Sequence, residues 1–166
     1  MTVALVPVGF EHAEAIQRLA SDPAIGATTN VPVPYPEDGA QRWIQSRVEA
    51  REAETDYAFA VVDEERQVVG VVTLMSVDRG AQTAGLGYWI GVPFWSKGYA
   101  TQAAHACIAF GESLGIERVE AVCLEANQAS RRVLEKAGFR VRGAGKPEPR
   151  GAVLAYEWRA SFTPSS

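Results

Sequence analysis

A chain of 166 residues, 47% hydrophobic and 22% charged, has the make-up of one ordinary globular domain and falls outside the disordered and low-complexity classes. Its net charge of −4 argues against a basic face for nucleic acid, and no apolar run approaches the roughly 20 residues that cross a bilayer. The opening MTVALVPVGF lacks a basic n-region and a long apolar h-region, so the expectation is a cytoplasmic protein with no signal peptide and no nucleic-acid or membrane partner.

In chain order, residues 3–8 read as a short strand ended by Pro7 and Gly9, and Ala13, Ile16, Leu19 and Ala20 recur with helical spacing. His12 reads as a solvated first-turn residue. Residues 25–36, IGATTNVPVPYP, form an apolar segment in which Pro32, Pro34 and Pro36 forbid regular structure. Glu37 and Asp38 are expected to open a second helix, placing negative charge at its positive end. Ala40, Trp43, Ile44, Arg47 and Val48 form its stripe.

Residues 57–62 and 68–77 predict a hairpin around a polar turn, and residues 83–92 a third strand of the same meander. That strand holds Gly85, Gly87 and Gly91, which signal a bulge or the close approach of another group. A helix is predicted from about Lys97 to Leu114, burying Ala100, Ala103, Ala104, Cys107 and Phe110, with His105 on its surface and Gly115 ending it. Residues 119–124 follow as a parallel strand. Asn127 caps a further helix that carries Ala129, Val133, Leu134 and Ala137, and Gly138 closes it. Residues 139–142 and 153–158 make a last hairpin around a long turn. One domain over 1–160 is expected, with a frayed tail over 161–166. Cys107 and Cys123 have no metal-ligand spacing and read as buried small hydrophobes.

The segment GLGYWIGVPFWSKGYATQAA, residues 85–104, is the chemically informative one. A strand ends at Pro93, a turn containing Gly98 follows, and a helix begins. The first N–H groups of a helix lack internal partners and sit at the positive end of its dipole, so this junction suits a phosphate or diphosphate. It is not a P-loop, because Ser96 stands where the second glycine belongs and Gly98 where Ser or Thr belongs. Nor is it a dinucleotide fingerprint, whose G-x-G-x-x-G spacing the strand glycines do not have.

The segment resembles the acyl-CoA loop of the GNAT N-acetyltransferase superfamily, R/Q-x-x-G-x-G/A, with Trp95 at the Arg/Gln position and matches at Gly98 and Ala100. It is similar in particular to the RimJ/RimL-type branch. So is LEANQASRRVLEKAGF, which matches N-x-x-S-x-R-V-L-E-K-x-G-F at Asn127, Ser130, Arg132 to Lys136, Gly138 and Phe139. The resemblance implies an α/β GNAT fold: a mixed, mostly antiparallel sheet with a central parallel βαβ splay and flanking helices. It implies acetyl-CoA as cosubstrate, no metal, and acetyl transfer to an amine acceptor.

On this resemblance Ser96, Lys97, Gly98, Tyr99, Ala100 and Thr101 would hold the diphosphate, and Asn127 the pantetheine arm. N–H groups near a bulge at Ile90, Gly91 and Val92 would polarise the thioester carbonyl. Asn30 and Tyr35 are candidates for the acceptor wall. The superfamily's Tyr proton donor falls at Leu134, so Ser130 is the expected replacement. The branch's Glu base falls at Gly85, which leaves Glu125 or a residue of the 143–151 turn. A site without a strong base suits an α-amine near pKa 8, whose deprotonation at pH 7 costs about 1.4 kcal/mol, over a lysine at about 4 to 5. The expected acceptor is therefore a protein or peptide N-terminus. A small-molecule amine such as an aminoglycoside, polyamine or amino acid is the first alternative, and a non-catalytic acyl-CoA-binding module the second. Dimers are common in the branch, so a homodimer is left open.

Overall fold

The computed structural model describes residues 2–162. Strand β2 (Tyr57–Val62), second in its sheet, is buried almost throughout because alternate residues point to two different helical layers. Tyr57, Phe59 and Val61 pack with α4 (Tyr99–Ser113), while Ala58 faces α1 (Ala13–Ala20) and α3 (Gly39–Glu52).

The seven-stranded sheet runs β1-β2-β3-β4-β5-β7-β6. Its members are β1 (Ala4–Pro7), β2, β3 (Val68–Asp78), β4 (Thr83–Ile90), β5 (Arg118–Leu124), β6 (Arg140–Ala144) and β7 (Val153–Arg159). All neighbours are antiparallel except β4 and β5, which α4 joins as a crossover. That parallel pair is short: Thr83, Ala84 and Gly85 oppose Arg118, Val119 and Glu120, and the pairing then stops. Beyond it the strands diverge, and α5 (Gln128–Lys136) begins just past the end of β5. This is the mixed sheet with a central parallel splay expected from the sequence.

Several boundaries differ from the sequence reading. The helix expected at Glu37 begins at Gly39, so those carboxylates precede it, and Asp38 pairs instead with Arg42 at 3.5 Å. The proline-rich segment opens with a one-turn helix, α2 (Pro23–Gly26), with Asp22 Oδ1 accepting from the Ala24 N–H. His12 is not solvated: its Nδ1 accepts the Gly9 N–H at 3.1 Å, closing the turn before α1. β4 stops at Ile90, because Gly91 and Pro93 lead into a 3-10 turn, and α4 starts at Tyr99 after Ser96 and Gly98 adopt positive φ. The tail begins as a 3-10 turn at Ala160–Phe162, and residues 163–166 lie outside the described ones.

The pairing of β4 with β3 runs unbroken from Gly85 to Ile90 and shifts register just before it, between Met75 and Asp78 of β3, so only Gly85 adjoins a bulge. Gly87 and Gly91 mark none. They admit neighbouring side chains instead, since a Cβ on Gly87 would come within 2.8 Å of Met75 Cε and one on Gly91 within 2.6 Å of Leu19 Cδ2. Cys107 and Cys123 are both buried free thiols.

Candidate active site

The divergence of β4 from β5 opens a cleft whose two arms are bridged at one point. Asn127 caps α5, its Oδ1 accepting the Ser130 N–H at 3.1 Å, which brings Ser130 to the first turn, facing back toward the sheet. There the Ser130 hydroxyl meets the Tyr88 hydroxyl at 2.7 Å, and either oxygen can donate. Burial pushes the Tyr88 hydroxyl up to about 12, against the opposing pull of the Ser130 hydrogen bond. Tyr88 therefore holds its proton at neutral pH. Cys123 on β5 is a further hydrogen-bonding neighbour of Ser130, and burial raises its thiol as well.

Two cavities adjoin at this bridge, and Tyr88, Asn127 and Ser130 line both. Each is of ligand size. The first, of about 610 Å³, runs between the start of α4 and α5. Ser96, Gly98, Tyr99, Ala100 and Thr101 line it on one side, with Arg132 and Lys136 on the other. Gly98 sits at φ +81 at the head of α4, which has no side-chain cap, so the backbone itself presents the helix N-terminus to the cavity. Trp95 secures the turn, donating its indole N–H to the Ile90 carbonyl at 2.6 Å.

The second cavity, of about 740 Å³, lies on the other side of the bridge. Its walls come from residues 28–36, from Arg42, Trp43 and Arg47 of α3, from Thr73 and Met75 of β3, and from Glu148 and Arg150 of the β6–β7 turn. Asn30 and Tyr35 both line it, and burial raises the Tyr35 hydroxyl above its ordinary value. Arg150 spans the opening. One guanidinium nitrogen donates to the carbonyls of Gly26, Ala27 and Thr29, the last at 2.8 Å, and the other lies 2.7 Å from Glu148.

The residues singled out from sequence divide accordingly. Asn127, Ser130, Ile90, Ser96 and Gly98 to Thr101 gather around the smaller cavity, and Asn30 and Tyr35 around the larger. Lys97, Gly91 and Val92 line neither. Lys97 lies exposed with its Nζ 5.9 Å from the Phe94 ring centre, and the Gly91 N–H is taken by the Val69 carbonyl at 2.8 Å. Glu125 is exposed and outside both cavities, whereas Glu148 of the turn lines the larger one.

The Gly91–Val69 bond also fixes which amides face the cleft. Along an antiparallel ladder alternate N–H groups point to opposite neighbours. Gly91 and Trp89 point to β3, so Tyr88 and Ile90 point toward β5, which has diverged by that level. These two N–H groups, set by the splay and not by a bulge, are the main-chain donors facing the cleft. The sequence reading missed Tyr88, Cys123, Arg132, Lys136, Arg150 and Arg42. Arg132 and Lys136 were visible only as motif matches without a role, and Tyr88 left a trace in the alternation that aligns it with Leu86 and Ile90. Among the described residues no three His, Cys, Asp or Glu side chains gather to hold a metal ion, and no helix is long and apolar enough to cross a membrane.

A family model described as acetyltransferase (GNAT) domain matches residues 2–140. The Bacillus subtilis (strain 168) protein YjcK, described as a probable N-acetyltransferase, is 32% identical over 115 residues, covering 68% of this chain. The match spans 64% of YjcK, less than two thirds of its length. Among solved structures, the RimL ribosomal L7/L12 alpha-N-protein acetyltransferase in complex with coenzyme A superposes with a TM-score of 0.88 at 18% identity, over 98% of this chain and 97% of that one. The spermidine N-acetyltransferase from Vibrio cholerae, in complex with CoA and spermine, gives 0.84 at 16% identity, over 97% of each chain. At such identities these likenesses speak to the fold.

Proposed function

The chain belongs to the GNAT acetyltransferase family, and from that premise we propose that it transfers the acetyl group of acetyl-CoA directly to a primary amine, a peptide or protein α-amino group. The observation that carries this reading is the 2.7 Å contact of Tyr88 and Ser130 at the meeting point of the two cavities. The smaller cavity, with the α4 N-terminus, Arg132 and Lys136, fits a coenzyme's phosphates. The larger one takes the acceptor. The solved relatives support an amine acceptor in general, since one is named for a protein N-terminus and another for spermidine.

In the proposed step the amine nitrogen forms a bond to the thioester carbon, and the carbon–sulfur bond breaks. The Tyr88 and Ile90 N–H groups stabilise the charge that develops on the carbonyl oxygen. Ser130 donates its proton to the departing thiolate as it takes one from Tyr88, which enters the step protonated because burial raises its hydroxyl, and the proton that the amine gives up to water restores Tyr88. The amine loses its proton to water. No carboxylate other than Glu148 lines the acceptor cavity among the described residues, and Glu148 is engaged by Arg150. That arrangement suits an α-amine, already close to neutral at pH 7.

The test is thiol release from acetyl-CoA with a panel of peptides, polyamines, amino acids and aminoglycosides. Turnover of peptides with free α-amines, lost when the N-terminus is blocked, supports the reading. Coenzyme binding without release on any amine would instead favour a non-catalytic acyl-CoA-binding module.

A further inference from the structure

The larger cavity is electrostatically one-sided. Its charged lining residues are Arg42, Arg47, Arg150 and Glu148 among those described. Arg150 and Glu148 neutralise each other at 2.7 Å. That leaves two arginines of α3, Arg42 and Arg47. Their counter-ions stand outside the lining: Asp38 is 3.5 Å from Arg42 one helical turn back, and Asp56 is 3.7 Å from Arg47. Asp56 is further occupied, accepting the Ser76 N–H at 3.1 Å and the Thr55 hydroxyl at 2.9 Å. The Arg42 side chain is 73% exposed, free to swing onto a guest.

A polyamine needs carboxylates to replace the water it loses, and here it would meet guanidinium groups instead. An acceptor carrying negative charge beside its amine meets the reverse. Resting on the acetyltransferase reading, we infer that the acceptor is an acidic peptide: its N-terminal amine reaches toward Ser130, and carboxylates in the following residues are received by Arg42 and Arg47. Tyr35 and Trp43, which line the same cavity, give the intervening chain an apolar wall. The positive lining also raises the rate of encounter with an acidic segment and disfavours a protonated amine in the site, so the neutral, reactive form is the one retained.

The test compares thiol release from acetyl-CoA with peptides of equal length that share one N-terminal residue and carry Asp or Glu, Ala, or Lys in the next three positions, with spermidine and free glutamate alongside. The expected order of kcat/KM is acidic, then neutral, then basic, each step about two- to five-fold, and the spread narrows in high salt. Arg42→Glu and, independently, Arg47→Gln should bring the acidic-to-neutral ratio toward one, with unfolding curves confirming that each variant folds. Spermidine or the Lys peptides turned over best, or an acidic-to-neutral ratio unmoved by both variants, overturns the inference while leaving the acetyltransferase reading standing. Free glutamate turned over better than any acidic peptide overturns the peptide assignment alone. Release with no amine at all overturns both readings together.

Discussion

Tyr88 and Ser130 stand 42 residues apart in the chain, yet their hydroxyls meet at 2.7 Å across the mouth of a cleft that two neighbouring strands open by separating. The contact supplies, from a different element, the proton-bearing phenol that Leu134 cannot. Leu134 is itself buried in the core, at 1% exposure. If the pair acts as one relay, removing either member removes the relay. Ser130→Ala and Tyr88→Phe are each expected to lower kcat by about a hundred-fold, within the range of general acid catalysis. The KM for acetyl-CoA should change little. The double variant should be scarcely slower than the worse single one, because groups that act as a unit are not additive. Single-turnover rates would show this, and fully multiplicative losses would separate the two residues into independent roles.

Arg150 ties the β6–β7 turn to the carbonyls of residues 26–29, two walls of the acceptor cavity that have no strand pairing between them. Arg150→Ala should raise the KM for the acceptor several-fold while the KM for acetyl-CoA stays near its original value. The side chain is 33% exposed, so the stability lost is about 1 kcal/mol. In a domain of this size that is a fall in Tm of roughly 2–4 °C. A variant with an unchanged acceptor KM would show that the latch does not shape the cavity.

Gly98 and Gly70 should respond to alanine in different ways. Gly98 holds φ +81 and a Cβ there would meet only the Gln102 amide at an ordinary 3.9 Å, so Gly98→Ala strains the backbone by about 1 kcal/mol and tilts the head of α4, which should appear as a raised KM for acetyl-CoA with a modest fall in Tm. At Gly70 a Cβ would stand 2.2 Å from the Trp89 carbonyl oxygen. A Cβ against a backbone oxygen cannot be relieved by a rotamer, so Gly70→Ala should force β3 from β4 and cost about 3 kcal/mol or more. Thermal unfolding of both variants checks the contrast, and equal Tm losses would contradict it.

The order of elements was legible in the sequence because each carries a local signal: runs of β-branched and aromatic residues in β2, β3 and β4, a cap at Asn127, glycines closing α4 and α5. The phosphate-suited junction at Gly98 was legible for the same reason, since a turn glycine and a helix start are neighbours in the chain. What escaped was long-range. The splay of β5 from β4 was expected from the family resemblance, but nothing near Tyr88 announces that a serine on the next helix will meet it across the gap. The strand glycines carried an ambiguous signal, since the same missing side chain serves a bulge or a methionine packed overhead. At Gly87 it serves Met75. Glu125 and Glu148 look alike in sequence, and only the path of the β6–β7 turn separates the exposed one from the one in the cavity.

Burial leaves one signature that depends on neither coenzyme nor acceptor. It pushes the Tyr88 hydroxyl from 10.0 up to about 12 and the Cys107 thiol from 9.0 up to about 12. Both groups are neutral when protonated, so above the ordinary values the unfolded chain gives up these protons while the folded protein keeps them. The unfolded state then binds fewer protons, and stability falls as pH rises. The contribution is fully present below about pH 9 and is lost progressively toward pH 12. Urea unfolding followed across this range should give a declining free energy. Tyr88→Phe keeps the ring and deletes the titrating proton, so it should flatten the decline above pH 10, while Cys107→Ala flattens it from pH 9, whatever each variant costs at neutral pH. A double variant whose alkaline slope matched that of the unaltered protein would mean that neither Cys107, on the buried face of α4, nor Tyr88, at the cleft beside Ser130, is protected from solvent as its burial requires.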